Sequence, residues 1–210
     1  DGRTDLFDSK EWYALQTWIN GDKVGNLDLV KKLCYDSYDA YEWIKDDLGM
    51  GFDDKISQGA GSLWQRTHTS KMKMGTGFIS TYLDKIGAMD NVTIVTEATG
   101  KSLVKKDDKI TGVVCADRNG NEFTVTANKG VVLSTGGFAA NSKMVQEYNT
   151  SGKWDDLSKL MTTNRTSSSQ GDGIVMAKEA GASLTDMEQI QLLYLGNTKD
   201  GQLTKYPPRD

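Results

Sequence analysis

The spacing of apolar residues predicts three helices in the first third of the chain. Ser9 caps the first, whose apolar face consists of Trp12, Leu15, Trp18 and Ile19. The second begins near Asn26 and ends at Gly49, a glycine in the usual C-terminal position. Its apolar stripe reads Val30, Cys34, Ser37, Tyr41, Ile44 and Leu48. The third covers residues 78–86, after a glycine-rich stretch, 50–77, that is predicted to be a loop.

Alternating apolar and polar residues in the middle of the chain predict strands. In chain order they are residues 92–96, 102–105 and 110–116, the last two joined by a turn at Asp107 and Asp108. Asn119-Gly120 is a hairpin signal, and the return strand carries Phe123, Val125 and Ala127 on one face. The continuous apolar run at 130–133 is typical of a strand buried on both faces.

Two further helices are predicted in the last third. Asn141 caps a short one that runs to Tyr148, and a polar loop follows at 150–156. The second covers 171–180 and is stopped by Gly181, and residues 183–195 are predicted to be extended. The whole pattern predicts an α/β fold with α+β character, with a β-meander and packed helices.

Composition excludes several classes of function. Lys and Arg number 25 and Asp and Glu 29 in 210 residues, a net charge of −4 that argues against a nucleic-acid partner. No apolar run approaches the length of a membrane span. A single histidine, His68, nearly excludes a Ser-His-Asp triad or a multi-histidine metal site, so no metal is predicted. Cys34 and Cys115 are far apart and form no disulfide framework or zinc motif.

The first candidate site follows the predicted strand at 131–133. Ser134 and Thr135 lead into Gly136, Gly137 and Phe138. Glycines at the carboxyl end of a strand allow a ligand to approach the backbone closely. An ordinary glycine turn at the end of a strand is an equally good interpretation of this motif alone.

The second candidate site is the Gly-Asp-Gly sequence at Gly171, Asp172 and Gly173, which opens a predicted helix. The N-terminus of a helix offers free N–H donors and the positive end of its dipole, which suits a phosphate or a polar cofactor edge. Taken alone, the motif is explained more simply by Asp172 capping its own helix. The five tryptophans are interpreted as packing residues rather than a stacking surface.

Together, in this order and spacing, the two motifs resemble the flavoprotein subunits of fumarate reductase and succinate dehydrogenase. The similarity is greatest to the soluble branch, which includes flavocytochrome c enzymes and urocanate and acrylate reductases. Further matching segments, in the same order, are 25–44, 66–68, 75–78, 92–104 and 186–191. The resemblance implies FAD as cofactor and part of a glutathione-reductase-like FAD-binding domain. It also implies reduction of the C=C bond of an α,β-unsaturated carboxylate by hydride transfer from flavin N5.

The resemblance assigns cofactor-binding roles to five residues of this chain. Thr135, Gly136 and Gly137 match the turn that packs against FAD, Asp172 matches an FAD-contacting aspartate, and the backbone of Ala98 matches the position that meets the adenine. No catalytic residue is assigned within the chain.

On the substrate side, the resemblance places Gln191 and Tyr194 beside the substrate. Fumarate reductases have a histidine where this chain has Leu193, and leucine cannot donate a hydrogen bond. An apolar neighbour with a tyrosine suits an aryl or alkyl acrylate better than fumarate. The resemblance also places Arg66 and His68 on a loop near the flavin, and a pair of surface-loop residues is the alternative.

Several family features are missing from these residues: the Gly-x-Gly-x-x-Gly strand and turn, the clamp domain, the proton-donating arginine and the last FAD-binding segment. Residues 1–210 are therefore expected to be a partial FAD-binding domain, an internal portion of a longer enzyme that is inactive alone. The 131–133 strand would then have an exposed edge open to self-association. Two alternatives remain: a structural module without cofactor affinity, and an FAD-dependent dehydrogenase of the ketosteroid type.

Overall fold

A computed structural model describes residues 7–59, 62–73, 75–159 and 168–192. The chain divides into two compact units, Asp1–Ile94 and Val95–Asp210. The first unit is helical and the second combines a small antiparallel sheet with two helices. The α+β character expected from the sequence is confirmed. The expected polar loop at 150–156 is likewise free of helix and strand.

Within its described residues, the first unit contains three α-helices: α1 (Lys10–Asn20), α2 (Leu27–Glu42) and α3 (Thr76–Gly87). The cap predicted at Ser9 is confirmed, since Ser9 Oγ accepts the Trp12 N–H at 3.1 Å. Helix α2 begins where expected, and there Asn26 Oδ1 accepts the Asp28 N–H at 3.0 Å. The segment Trp43–Asp47 is a π-helical turn rather than a continuation of α2. Gly49 has the left-handed φ of 79° expected of a C-terminal glycine.

The stripe predicted for α2 is confirmed, whereas the face predicted for α1 is wrong. Cys34 is 2% exposed, and the other members of the α2 stripe are half-buried. On α1 the buried residue is Ala14, and Trp12, Leu15 and Ile19 are exposed. The small side chains of Ala14 and Thr17 let α1 approach α2 closely, and the Cys34 thiol donates to Thr17 Oγ1 at 3.7 Å.

The second unit contains the predicted meander. Strands β1 (Thr99–Lys106), β2 (Lys109–Ala116) and β3 (Glu122–Thr126) pair antiparallel in that order. Asp107 and Asp108 both have left-handed φ values, 47° and 62°, as a two-residue hairpin turn requires. Helices α4 (Ser142–Glu147) and α5 (Asp172–Glu179) follow, each close to its predicted position.

Two predicted strands do not form within the described residues. Residues 92–96 and 130–133 have no ladder partner there, and Val132 is 87% exposed. An apolar or alternating segment becomes a strand only where another strand supplies its hydrogen bonds, and its own sequence does not provide that partner. Self-association through the 131–133 segment remains a prediction.

Candidate functional site

The two glycine motifs, which are separated in sequence, lie side by side in the second unit. The Gly171 N–H donates to the Gly137 carbonyl at 3.1 Å, and the Ala140 N–H donates to the Ser169 carbonyl at 3.0 Å. We call residues 135–138 and 169–173 together the cradle. The structure therefore brings Thr135, Gly136 and Gly137 together with Asp172, as the resemblance implied.

Two glycines of the cradle are required by close packing. A Cβ on Gly173 would overlap Thr135 Oγ1 and lie 3.1 Å from Thr135 Cβ. A Cβ on Gly171 would overlap Met144 Sδ and lie 3.1 Å from Phe138 Cβ, and Gly171 also has a left-handed φ of 88°. Sequence reasoning missed Met144, which no motif connects to the cradle, and did not predict that Phe138 of the first motif packs against Gly171.

The open side of the cradle fits an extended phosphate-bearing cofactor such as FAD. Gly136 has a φ of 75°, and a Cβ on Gly137 would meet no atom of the described residues within 4 Å, so a ligand can approach the backbone there. Helix α5 begins after Gly171 with no side-chain cap, which leaves its N-terminal N–H groups available to an anion. Asp172 is the first residue of α5 and does not cap it, so the simpler interpretation of the Gly-Asp-Gly motif is wrong.

Ala98 lies on the strand side of the same unit. It is half-buried and immediately precedes β1, after Glu97, which has a left-handed φ of 57°. Strand β1 packs on α5: a Cβ on Gly100 would stand 3.5 Å from Met176 Cε. The sheet therefore fixes Ala98 relative to the helix whose N-terminus forms part of the cradle.

Gln191 is exposed and lies in a segment without helix or strand. The preceding carbonyl, that of Ile190, accepts a hydrogen bond from Trp154 Nε1 at 2.9 Å. Tyr194, the other predicted substrate residue, and Leu193 lie outside the described residues.

Comparison with known proteins identifies the family. The model of the FAD binding domain family matches residues 3–198. The chain belongs to this FAD binding domain family. FAD is the cofactor of the family, which agrees with the resemblance and with the fit of the cradle.

Relatives of this FAD binding domain are reductases and oxidoreductases by name. NADH:acrylate oxidoreductase of Vibrio harveyi is 32% identical over 97% of this chain and 21% of the relative. Fumarate reductase 1 of Saccharomyces cerevisiae is 34% identical over 88% of this chain and 39% of the relative. The chain thus spans well under half the length of either curated relative.

A solved structure has the same fold. The open conformation of a flavocytochrome c3 fumarate reductase matches with a TM-score of 0.78 and 28% identity, over 94% of this chain and 34% of that one. A 3-ketosteroid-Δ4-(5α)-dehydrogenase from Rhodococcus jostii matches with a TM-score of 0.64 and 20% identity, over 88% of this chain and 43% of that one. The second match shows the shared fold alone.

Arg66, which the resemblance places on a loop near the flavin, makes structural contacts in the first unit of the FAD binding domain. Its Nε and Nη2 donate to the two carboxylate oxygens of Asp8 at 2.8 and 2.6 Å, and its Nη1 donates to Gln16 Oε1 at 2.8 Å. The guanidinium also lies 4.5 Å from the centroid of the Tyr13 ring. Arg66 therefore fastens the loop before α3 to α1 and the residues that precede it.

We expect Arg66→Ala to lower the free energy of unfolding of the first unit by about 1.5–3 kcal/mol, because it removes a bidentate ion pair whose arginine is 15% exposed. Lys32→Ala is the matched control in the same unit, since Lys32 is 76% exposed in its pair with Asp36, and it should cost less than about 1 kcal/mol. Urea titration followed by tryptophan fluorescence measures both, because Trp12, Trp18, Trp43 and Trp64 all lie in the first unit. Equal losses in the two variants would contradict the anchoring role.

His68 belongs to an aromatic cluster of the same unit. Its ring stacks on Tyr41 at 3.8 Å between centroids, and the Phe52 ring packs edge-on against both, 5.0 Å from Tyr41 and 6.5 Å from His68. Burial, and secondarily the positive charge of Lys45, lowers the pKa of His68 below its usual value. The cluster therefore favours the neutral imidazole.

The lowered pKa of His68 predicts a stability that depends on pH. Because the unfolded chain binds the proton more tightly, the free energy of unfolding is highest above the ordinary histidine pKa, about 6.5, and falls as the pH drops through it. His68→Phe keeps an aromatic ring against Tyr41 and removes the titration. Urea titrations at about pH 7.5 and 5.5 should show a smaller difference for His68→Phe than for the wild type. If the free energy of unfolding changes equally between the two pH values in both proteins, His68 is not the source of the pH dependence.

Among the described residues, no helix is long and apolar enough to cross a membrane. The same part of the chain contains no group of three or more His, Cys, Asp or Glu side chains arranged to hold a metal ion.

Proposed function

We propose that the protein carrying this chain is an FAD-dependent oxidoreductase that reduces the C=C bond of an α,β-unsaturated carboxylate. The observation that carries the proposal is the cradle. In it, a hydrogen bond from the Gly171 N–H to the Gly137 carbonyl joins the two glycine motifs, and the second motif forms the N-terminus of α5, which has no side-chain cap. Membership of the FAD binding domain family and the names of the reductase relatives support it.

Within this activity, the chain's own residues bind and orient. The backbone of Thr135–Gly137 and the first turn of α5 hold the cofactor, with Ala98 at its adenine end and Asp172 at the edge of the cradle. Once reduced by the electron donor, bound FAD would supply the hydride for reduction of the alkene, and a proton donor would supply the accompanying proton. Gln191 and Tyr194 are the substrate-side residues of this proposal. Their side chains orient the carboxylate of the substrate by hydrogen bonds.

We further propose an acrylate with an alkyl or aryl substituent as the substrate, rather than fumarate. The support is Leu193, whose side chain offers no hydrogen bond to a second carboxylate, and the phenol of Tyr194 beside it. The name of the Vibrio harveyi relative supports an acrylate, whereas that of the yeast relative supports fumarate.

Steady-state kinetics on the FAD-loaded protein carrying this chain test both proposals. The substrates are acrylate, cinnamate, urocanate and fumarate, with a reduced dye as electron donor. The expected result is reduction of an acrylate or aryl acrylate with a higher kcat/KM than fumarate, and a KM raised about tenfold or more by Gln191→Ala. A clear preference for fumarate would overturn the substrate class, and failure to reduce any enoate would overturn the reductase proposal itself.

A further inference from the structure

We propose that Trp154 is a positioning residue: its indole N–H holds Gln191 at a fixed distance from the cradle. The inference rests on the proposed function, because it takes Gln191 as a substrate-side residue. It concerns only the second unit, where the cradle, Trp154 and Gln191 all lie.

The Trp154 Nε1–H bond to the Ile190 carbonyl, at 2.9 Å, is a long-range restraint on the segment that carries Gln191. The segment is not part of a sheet, and its backbone bonds are local: the Gln189 N–H donates to Asp186 and the Ile190 N–H donates to Glu188. Local turns fix the shape of a segment but not its place in the fold. The indole has a single donor, so the bond to Ile190 uses its whole polar capacity.

Asn149 in turn fixes the backbone around Trp154. Its Nδ2 donates to the Trp154 carbonyl at 3.2 Å and to the Asp155 carbonyl at 2.7 Å, which determines the orientation of the amide. Asn149 Oδ1 is buried and has no hydrogen-bond partner within the described part of the chain. Burial of an acceptor without a partner lowers the stability of the fold. Asn149 keeps the orientation that makes its two donated bonds despite this cost. That pattern is typical of a residue whose role is to hold neighbouring backbone groups in a fixed position.

Helix α4 connects this arrangement to the cradle. At its C-terminal end, Asn149 follows the capping residue Tyr148, and Gln146 Oε1 accepts the Leu157 N–H at 2.7 Å. At its N-terminal end, Asn141 Nδ2 donates to the Gln170 carbonyl at 3.0 Å, inside the cradle. Met144, between them, lies against Gly171. A continuous set of contacts therefore runs from the cradle through α4 and residues 149–157 to Ile190.

The consequence concerns the reaction geometry. A substrate held between the cofactor and Gln191 reacts well only if their separation is constant, since displacements of about 1 Å can cost about a hundredfold in rate. Loss of the Trp154 N–H lets Gln191 move relative to the substrate, so it should weaken substrate binding, seen as a raised KM, more than it affects folding.

The test removes the N–H while keeping the shape of the side chain. Trp154 is replaced by β-(3-benzothienyl)alanine, in which sulfur takes the place of N–H, and separately by Phe. Trp43→Phe is the matched control, because Trp43 is an exposed tryptophan of the first unit. Four quantities are measured on each FAD-loaded variant: KM, kcat per bound flavin, the melting temperature, and hydrogen exchange of the backbone amides of residues 189–192.

The expected result is the same for both Trp154 variants: KM for the enoate rises about threefold to tenfold, the range that loss of one hydrogen bond gives. Amide exchange at 189–192 becomes faster by a similar factor, while Trp43→Phe changes neither. If only Phe has these effects, Trp154 acts through packing and the proposal is wrong. It is equally wrong if the melting temperature falls while KM and exchange stay at wild-type values.

Gln191→Ala, measured in parallel, separates this inference from the proposed function. If Gln191→Ala leaves KM unchanged, Gln191 is not a substrate residue and the proposed site fails. The exchange data then still show whether Trp154 restrains the 189–192 segment. If Gln191→Ala raises KM and the Trp154 variants do not, the positioning role alone is overturned.

Discussion

Gly171→Ala is expected to destabilise the second unit by about 2–5 kcal/mol and to abolish retention of FAD. A left-handed φ costs a residue with a Cβ about 1–2 kcal/mol. The added methyl group also overlaps Met144 Sδ and lies 3.1 Å from Phe138 Cβ, and crowding of this kind costs about 1–3 kcal/mol. Relief of that crowding moves the Gly171 N–H away from the Gly137 carbonyl, which separates the two halves of the cradle.

Gly181→Ala is the matched control for Gly171→Ala. Gly181 has a left-handed φ of 99°, but its Cβ would meet only the flexible end of Lys105, at 3.5 Å. Gly181→Ala should therefore lower the stability only by the cost of a left-handed φ, about 1–2 kcal/mol. Urea unfolding followed by far-ultraviolet circular dichroism, with flavin absorbance after desalting, measures both effects. If the two variants lose the same stability, the packing of Met144 and Phe138 against Gly171 does not constrain the cradle.

Gly137→Ala is expected to weaken FAD binding about fivefold to 150-fold while leaving the stability of the cofactor-free chain unchanged. A Cβ at Gly137 meets no atom within 4 Å in the part of the chain that the structure describes, so the substitution has no steric cost against those residues. With FAD against the backbone, the methyl group occupies ligand space, and overpacking of about 1–3 kcal/mol corresponds to that range of Kd. Fluorescence titration with FAD measures the Kd.

Gly87→Ala provides the comparison for Gly137→Ala. Gly87 ends α3, and a Cβ there also meets no protein atom within 4 Å. The Gly87→Ala variant should have the same Kd for FAD as the wild type. A wild-type Kd for Gly137→Ala as well would mean that FAD does not approach the backbone at this turn.

The elements whose signals are local could be predicted from the sequence. Ser9, Asn26 and Asn141 each bind an N–H group within three residues, so the capping signal and the helix start lie in the same few positions. The two aspartates at the first hairpin turn are equally local. The strand expected at 130–133 depends on a partner elsewhere in space, which its own composition does not specify.

In the candidate site, too, the features with a local sequence signal could be predicted, and those that depend on distant contacts could not. The two glycine motifs were recognised because backbone approach and left-handed φ demand glycine, a requirement visible in the residue type itself. Met144 and Phe138, which set the packing beneath them, carry no such requirement. Trp154 was interpreted as a packing residue, since a side chain's apolar bulk shows in the sequence and its hydrogen-bond partner does not.

The close contact between α1 and α2 gives the protein a built-in chemical probe of local opening. The Cys34 thiol is 2% exposed and faces Thr17, so a thiol reagent reaches it only when the two helices separate. Its alkylation rate therefore measures the population of molecules in which α1 has detached. Cys115 of β2, the half-buried cysteine of the second unit, is first replaced (Cys115→Ser), so that the reagent modifies Cys34 alone and leaves the unit that contains the cradle unmodified.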